Sequence, residues 1–296
     1  MRQIATIGFF DGVHRGHQFL FSRLRDEARE RGLAPLIITF REHPRAVLQM
    51  GFQPRLLSAT EERLSRLKHY ANVEVFDFQT IHSQTARQFM HTLHEQKEVD
   101  VLLVGYDHRF GSDRITDLEL LKAQGKAVGV EVVRAEEYNP AETADAHISS
   151  TEIRHAIEEG EIERANELLG YAYMLSGTVV HGKGLGRTIG FPTANIQMDE
   201  PRKLLPPPGV YATEADLGNG HQLPAILNIG TNPTVGENPI TIELHIPNLE
   251  LDLYGRQLSV RLLRYLRPER RFDSLDELRK QIEADIQVMI VECIVL

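Results

Sequence analysis

The sequence predicts two domains: a parallel, doubly wound α/β sheet over residues 1–172, then an antiparallel β-barrel with a C-terminal helix over 173–296. Three observations carry this. A chain of 296 residues exceeds what one hydrophobic core usually fills. Up to residue 170, continuous apolar strands alternate with stretches of helical periodicity, the pattern of a parallel sheet covered on both faces. From Tyr171 onward proline and glycine become dense, with PPP at 206–208, and short strands alternate apolar with polar residues.

The elements follow in order. Residues 4–8 read as a buried strand. A helix over 17–31 places Phe19, Leu20, Leu24 and Ala28 on one stripe and stops at Gly32. Strand 36–40 precedes a helix over 60–70 with Thr60 as N-cap and Leu64 and Leu67 inward. Strand 73–78, a helix over 83–96 with Ala86, Phe89, Met90 and Leu93 on one face, and strand 99–105 continue the alternation. A short helix over 117–124, a strand over 126–133 and one helix over 149–170, stopped by Gly170, complete the first half. Parallel sheets bind ligands at the carboxyl ends of their strands, so the loops 8–17, 41–44 and 105–111 are expected to face one cleft. In the second half, strands are expected at 178–181, 210–216, 225–228, 240–246 and 258–263, closed by a helix that Ser274 caps.

Composition narrows the function. The net charge of −9 argues against nucleic-acid and anionic-membrane partners. The single cysteine, Cys293, leaves no intrachain disulfide and no cysteine-based metal site, which fits a cytoplasmic protein. The opening residues read as a strand and not as a leader, and no apolar run approaches the roughly 18–20 residues of a membrane span. The run 288–296 is apolar except for Glu292 and has no functional reading.

GFFDGVHRGH at 8–17 joins a strand to a helix through a glycine turn. Gly8 and Gly12 permit close backbone approaches, Gly16 lets a ligand press against the chain, and the turn aims N–H groups and a helix dipole at one point, as a phosphate requires. His14 and His17, three apart, share a helix face and could neutralise a triphosphate. A bare His-x-Gly-His reads more simply as a surface turn; the strand before and the helix after favour the phosphate site. His43 and Pro44 follow the second strand, where a loop histidine alone says little. GYDHRFG at 105–111 offers Asp107 to a ribose or base, or forms an ordinary polar loop with Arg109 in an ion pair. SSTEIR at 149–154 reads either as a second phosphate clamp or as a capped helix with an exposed arginine.

In the second half, HGKGLGRTIGFPTAN at 181–195 is the most specific stretch. Gly182, Gly184, Gly186 and Gly190 can wrap phosphates with backbone N–H groups, and Lys183 adds a point charge. Thr193 and Asn195 supply hard oxygens suited to Mg²⁺ shared with nucleotide phosphates. The spacing is not that of a P-loop. In TIELHI at 241–246, Glu243 and His245 share the polar face of a strand; periodicity alone reads that face as solvent-exposed.

These motifs, in this order, resemble the bacterial bifunctional riboflavin kinase/FMN adenylyltransferase family. GFFDGVHRGH, FREHP, GYDHRFG and SSTEIR are similar to its Rossmann-like nucleotidyltransferase domain; the glycine loop with PTAN, GVYA at 209–212, NIGTNPT at 228–234, DLYG at 252–255 and LRPERRF at 266–272 are similar to its kinase barrel. Glu42 stands where that family usually has proline, and His108 where it commonly has phenylalanine. The resemblance implies an adenylyltransferase ATP site at Gly8, Phe10, Asp11, Gly12, His14, His17, Asp107, Ser150, Thr151 and Arg154, with His14 and His17 stabilising charge on the triphosphate. It implies a kinase ATP site at Gly182, Lys183, Gly184, Gly186, Thr193 and Asn195, with Mg²⁺ on Thr193 and Asn195. Glu243 becomes the catalytic carboxylate, and His43, Pro44, Arg267 and Glu269 become flavin contacts, although Arg267 and Arg271 read equally as residues that order a lid or as surface ion pairs. Riboflavin, FMN and ATP are the implied small-molecule partners of a monomer or weak oligomer. A kinase with a degenerate first domain and a flavin- or nucleotide-sensing regulator are the competing readings; retention of Glu243 opposes the sensor, which needs no proton acceptor.

Overall fold

The computed structural model describes residues 1–106, 109–138, 148–182, 184–231 and 240–295. The chain divides into two compact units, Met1–Ser150 and Thr151–Leu296. This division falls before two helices that the sequence-based boundary at 172/173 assigned to the first domain. The second of them packs on the strands that follow it: Asn166 Nδ2 donates to Leu262 O at 2.9 Å, and Asn166 Oδ1 accepts from Tyr173 N at 2.7 Å.

The first unit runs β1 (Gln3–Ile7), α1 (Arg15–Arg31), β2 (Ala34–Phe40), α2 (Pro44–Leu48), α3 (Thr60–Lys68), β3 (Asn72–Phe76), α4 (Phe78–Ile81), α5 (Ala86–Lys97), β4 (Val99–Val104), α6 (Leu118–Lys126) and β5 (Glu131–Arg134). All pairings in its sheet are parallel, in the order β3-β2-β1-β4-β5. Successive residues of a strand face opposite sides, so each strand feeds two cores. Leu36, Ile38 and Leu102 pack with Phe89, Met90 and Leu93 of α5 on one side, while Ile4, Ile37 and Leu103 pack with Phe21 and Leu24 of α1 on the other. Strand order reverses between β1 and β4, which puts the turn after β1 at the position where such sheets bind ligands.

Three local expectations are corrected here. Ala59, not Thr60, is the N-cap of α3; it has no side-chain acceptor, and its own N–H donates to Glu62 at 3.2 Å. Helix α6 continues through Gly125 and Lys126, so β5 starts at Glu131 and not at 126. A Cβ at Gly125 would lie 2.6 Å from Val130 O, so glycine there serves close packing and not termination.

The second unit holds α7 (Ser150–Glu158), whose first residue belongs to the first unit, α8 (Ile162–Leu169), β6 (Tyr173–Val180), α9 (Leu185–Thr188), β7 (Ala194–Met198), β8 (Gly209–Asp216), β9 (Gln222–Thr231), β10 (Ile240–His245), β11 (Gln257–Arg267) and α10 (Leu275–Val295). The single helix expected over 149–170 is two, broken where Gly160 takes φ +79°. The strands close an antiparallel barrel in the order β10-β7-β6-β11-β8-β9. Strand β7 was not expected from the sequence, and it completes the closure by pairing with both β6 and β10. Ser274 caps α10 as expected, its Oγ accepting from Glu277 N at 3.2 Å. The apolar C-terminal run is the last part of this helix, which packs Met289 and Ile286 against Val210, Ala212 and Ile226 of the barrel.

Candidate active sites

In the first unit the turn after β1 is built by backbone conformation. Phe10, Gly12 and Val13 all have positive φ, at 56°, 74° and 41°. Two of these are not glycine, a strain that folds retain where surrounding contacts enforce it. Asp11 enforces it: 4 % exposed, its carboxylate accepts from Leu57 N, Ser58 N and Ser58 Oγ, all within 3.2 Å. Ser58 Oγ accepts in turn from Gly12 N, and Ser150 Oγ donates to Asp11 O at 3.1 Å. Gly8 is required by Phe10, whose ring would lie 2.7 Å from a Cβ there.

His14 caps α1, its Nδ1 accepting from His17 N at 3.4 Å. The two imidazoles stack with centroids 3.6 Å apart and planes 20° from parallel. The space beside Gly16 is taken by the His14 ring and Ile148 O. Burial, and after it the His14 charge, push the His17 imidazole well below its usual range. His17 is thus neutral at pH 7. In the ligand-free fold, then, His17 is set to offer a hydrogen bond rather than a charge. A cavity of 260 Å³ opens beside the pair, lined also by Phe19, Tyr106, Tyr138 and Ser150.

At the carboxyl end of β2, His43 caps α2, with Nδ1 accepting from Arg45 N at 3.1 Å, and Pro44 opens that helix. The His43 ring meets Phe9 edge-on at 4.7 Å. Beneath Phe9 lies Arg63, fully buried, its guanidinium 3.9 Å from the ring centroid and donating to Phe40 O at 2.7 Å. Burial lowers its pKa to about 10, against the pull of Asp11.

In the barrel, side chains on paired strands do the positioning. Glu243 lies opposite Asn195 across the β10–β7 ladder. Thr193 Oγ1 donates to Glu243 Oε2 at 3.0 Å. That bond uses the hydroxyl's proton and leaves its lone pairs able to accept. A Cβ at Gly182 would lie 2.0 Å from Asn195 Nδ2, so this glycine lets the loop close on the amide. Residues 185–188 of the glycine-rich segment form a helical turn, and Gly186 O accepts from Phe191 N at 2.9 Å. A 480 Å³ cavity extends from Thr193 and Glu243, walled by Ile189, Phe191, Val210, Ile226, Phe272 and Leu278, with Asn228, His245 and Glu269 as polar lining. Its size and largely apolar wall suit a planar organic substrate reached by a few polar groups.

The family model for FAD synthetase matches residues 1–152, and that for riboflavin kinase matches 169–291. The Escherichia coli (strain K12) bifunctional riboflavin kinase/FMN adenylyltransferase is 39 % identical over 288 residues, covering 95 % of this chain and 90 % of the relative. This chain belongs to the bifunctional riboflavin kinase/FMN adenylyltransferase family. The member of that name from Pseudomonas fluorescens is 36 % identical, over 96 % of this chain and 90 % of its own. A solved structure described as a macrolide-efflux protein from Streptococcus pneumoniae superposes with a TM-score of 0.84 at 32 % identity, over 97 % of this chain and 93 % of that one.

Within this bifunctional kinase/adenylyltransferase fold, the residues expected at each site divide clearly. Gly8, Phe10, Asp11, Gly12, His14, His17 and Ser150 meet at the turn after β1, and Asp11 serves there as an internal brace. Thr151, exposed, and Arg154, half-buried, lie on α7 in the second unit. Gly182, Thr193, Asn195 and Glu243 meet in the barrel, while Gly184 caps α9 at φ +68°. Asp107 and Lys183 lie outside the described residues. Arg267 borders the barrel cavity, but its guanidinium is committed to Asp285, with Nε 3.0 Å from both carboxylate oxygens and Nη2 2.7 Å from one. Of the two readings of Arg267, flavin contact or ion pair, the second describes its guanidinium here, which ties β11 to α10 at the edge of the cavity. Glu269 does line the cavity, its Oε1 accepting from Asn228 Nδ2 at 3.3 Å. Ser58, Arg63 and Asp285 were missed, because each acts through a partner distant in sequence.

Proposed function

We propose that the chain makes FAD from riboflavin in two ATP-dependent steps. Residues 173–296 phosphorylate riboflavin to FMN; residues 1–172 transfer AMP from a second ATP to FMN, giving FAD and pyrophosphate. The observation that carries this is the Thr193–Glu243 pair at the mouth of an apolar cavity, in a chain whose two halves match the two enzyme families.

In the kinase step, Glu243 accepts the proton of the riboflavin 5′-hydroxyl as its oxygen attacks the γ-phosphorus. The Thr193 hydroxyl holds the carboxylate by Oε2. Thr193 and Asn195 fit Mg²⁺ as neutral oxygen donors, and the ion would supply charge neutralisation on the ATP phosphates. Positioning by the cavity wall and the loop amides accounts for most of the remaining rate. In the adenylyl step, the FMN phosphate attacks the α-phosphorus of ATP and pyrophosphate leaves. The His14–His17 turn holds the triphosphate through backbone N–H groups and imidazole hydrogen bonds, and no covalent enzyme intermediate is needed.

The same reading makes the enzyme cytoplasmic, a monomer or weak oligomer, with no nucleic-acid or membrane partner. Among the described residues no helix is long and apolar enough to cross a membrane, so the efflux role in the name of the Streptococcus pneumoniae relative has no helical span to rest on in this chain. Incubation of the purified protein with riboflavin, ATP and Mg²⁺, followed by separation of the flavins, tests the proposal. Accumulation of FMN and then FAD is expected; FMN alone leaves a kinase, and unchanged riboflavin refutes both activities.

A further inference from the structure

The ladder between β7 and β10 ends just where the kinase chemistry begins. Its last pairs are Glu243 with Asn195 and Leu244 with Ala194. By that register His245 falls opposite Thr193, which lies outside β7, and the residue before Thr193 is Pro192, which has no N–H to offer a ladder. A side chain takes over where backbone pairing stops. His245 Nδ1 lies 2.8 Å from Pro192 O. A carbonyl can only accept, so this contact fixes a proton on Nδ1.

The imidazole is 8 % exposed and meets the Phe191 ring edge-on, with centroids 5.5 Å apart. One residue beyond Pro192, Thr193 Oγ1 donates to Glu243 Oε2. Glu243 and His245, two apart on one face of β10, therefore hold the 191–193 segment at successive points. Periodicity alone reads this face as a solvated surface; both side chains instead border the barrel cavity.

We propose that His245 is a positioning residue for phosphoryl transfer: through Pro192 it holds the Thr193 hydroxyl against Glu243, and it carries no proton in the reaction. The proposal rests on the kinase reading of the barrel. Without the imidazole, the 191–193 segment loses its tie to β10, and a displacement of about 1 Å at the reacting groups is enough to cost ~100-fold in rate. Val210, Ile226, Phe272 and Leu278 of the cavity wall lie outside that segment and stay in place, so the loss falls chiefly on kcat and less on KM.

The test compares His245→Ala and His245→Asn in the full chain, measuring kcat and KM for riboflavin phosphorylation across pH, with FMN adenylylation as an internal control. The alanine variant is expected to lose ~10–100-fold in kcat with KM for riboflavin little changed and adenylylation intact. The asparagine amide N–H sits where Nδ1–H sits, so His245→Asn should recover most of the rate with the wild-type pH profile. Wild-type kcat in the alanine variant overturns the proposal, as does an asparagine variant no better than alanine. Loss of one limb of the pH profile in His245→Asn also overturns it, because the imidazole would then be moving a proton. If the alanine variant fails to fold, the asparagine variant decides by the same two criteria. A wild-type chain that forms no FMN removes the kinase reading first, and this proposal with it; wild-type turnover that the His245 substitutions leave untouched refutes the proposal alone.

Discussion

The two sites reach similar phosphate chemistry by different means. After β1 the backbone does the work: positive φ at Phe10, Gly12 and Val13 orients the turn, and Asp11 is consumed in bracing it against Leu57 and Ser58. In the barrel the reacting face is made of side chains on or beside two regularly paired strands that the β10–β7 register brings together. The comparison teaches where each site is vulnerable. The first should fail when its internal braces are cut, even far from ligand. The second should fail at individual side chains on β10 and in the 192–195 segment.

The largest effect expected is at Glu243. Glu243→Gln should lower FMN formation by ~10²–10⁴-fold, the range for removing a general base, and leave FMN-to-FAD conversion near wild type in a coupled flavin assay. Loss of both activities would break the division between the sites. The double substitution His14→Ala with His17→Ala should lower FAD formation from FMN by ~10²–10³-fold, comparable to losing donors aimed at developing charge, while kinase turnover persists. Asp11→Ala should act on stability: two buried N–H groups lose their acceptor, costing about 3 kcal/mol in denaturant unfolding of the first unit. Asp11→Asn, which retains an acceptor oxygen, should recover part of that. Equal stability of the alanine variant would deny the bracing role.

The smallest effect concerns pH. His17 is held neutral in the fold, with its pKa well below the ordinary 6.5, whereas the unfolded chain binds a proton there below that pH. The stability this group contributes is complete above pH 6.5 and is lost as pH falls below it, by at most about 1.4 kcal/mol per pH unit. His17→Gln should flatten that part of the stability–pH curve, read as the difference in unfolding midpoint between the two proteins. Identical slopes would mean that folding does not lower the His17 pKa.

Much of this was legible in sequence because local chemistry dictated it. Continuous apolar strands between amphipathic helices give the parallel sheet, and the VHRGH and PTAN spacings mark both sites. What was hidden is non-local. β7 (Ala194–Met198) buries only Ala194 and Ile196, too little alternation to stand out beside the motif that overlaps it. Arg63 contacts a ring and a carbonyl brought in by β1 and β2, and no spacing rule pairs it with Phe9 or Phe40. Arg267 reads equally as a flavin contact or as one half of an ion pair, and only the packing of α10 supplies its partner, Asp285. Asp11 reads as a ligand contact because the residues that consume its carboxylate lie 46 and 47 positions away.

The account's central claim is that two separate sites act in series, linked by FMN. The most direct measurement mixes two full-length variants, Glu243→Gln and the His14→Ala/His17→Ala double variant, with riboflavin, ATP and Mg²⁺. Neither variant alone should make appreciable FAD from riboflavin; the mixture should, because the second supplies FMN that the first adenylylates. A mixture that makes no FAD while each partner retains its own half-reaction on added substrate, or a single variant that makes FAD from riboflavin at the wild-type rate, would contradict the account.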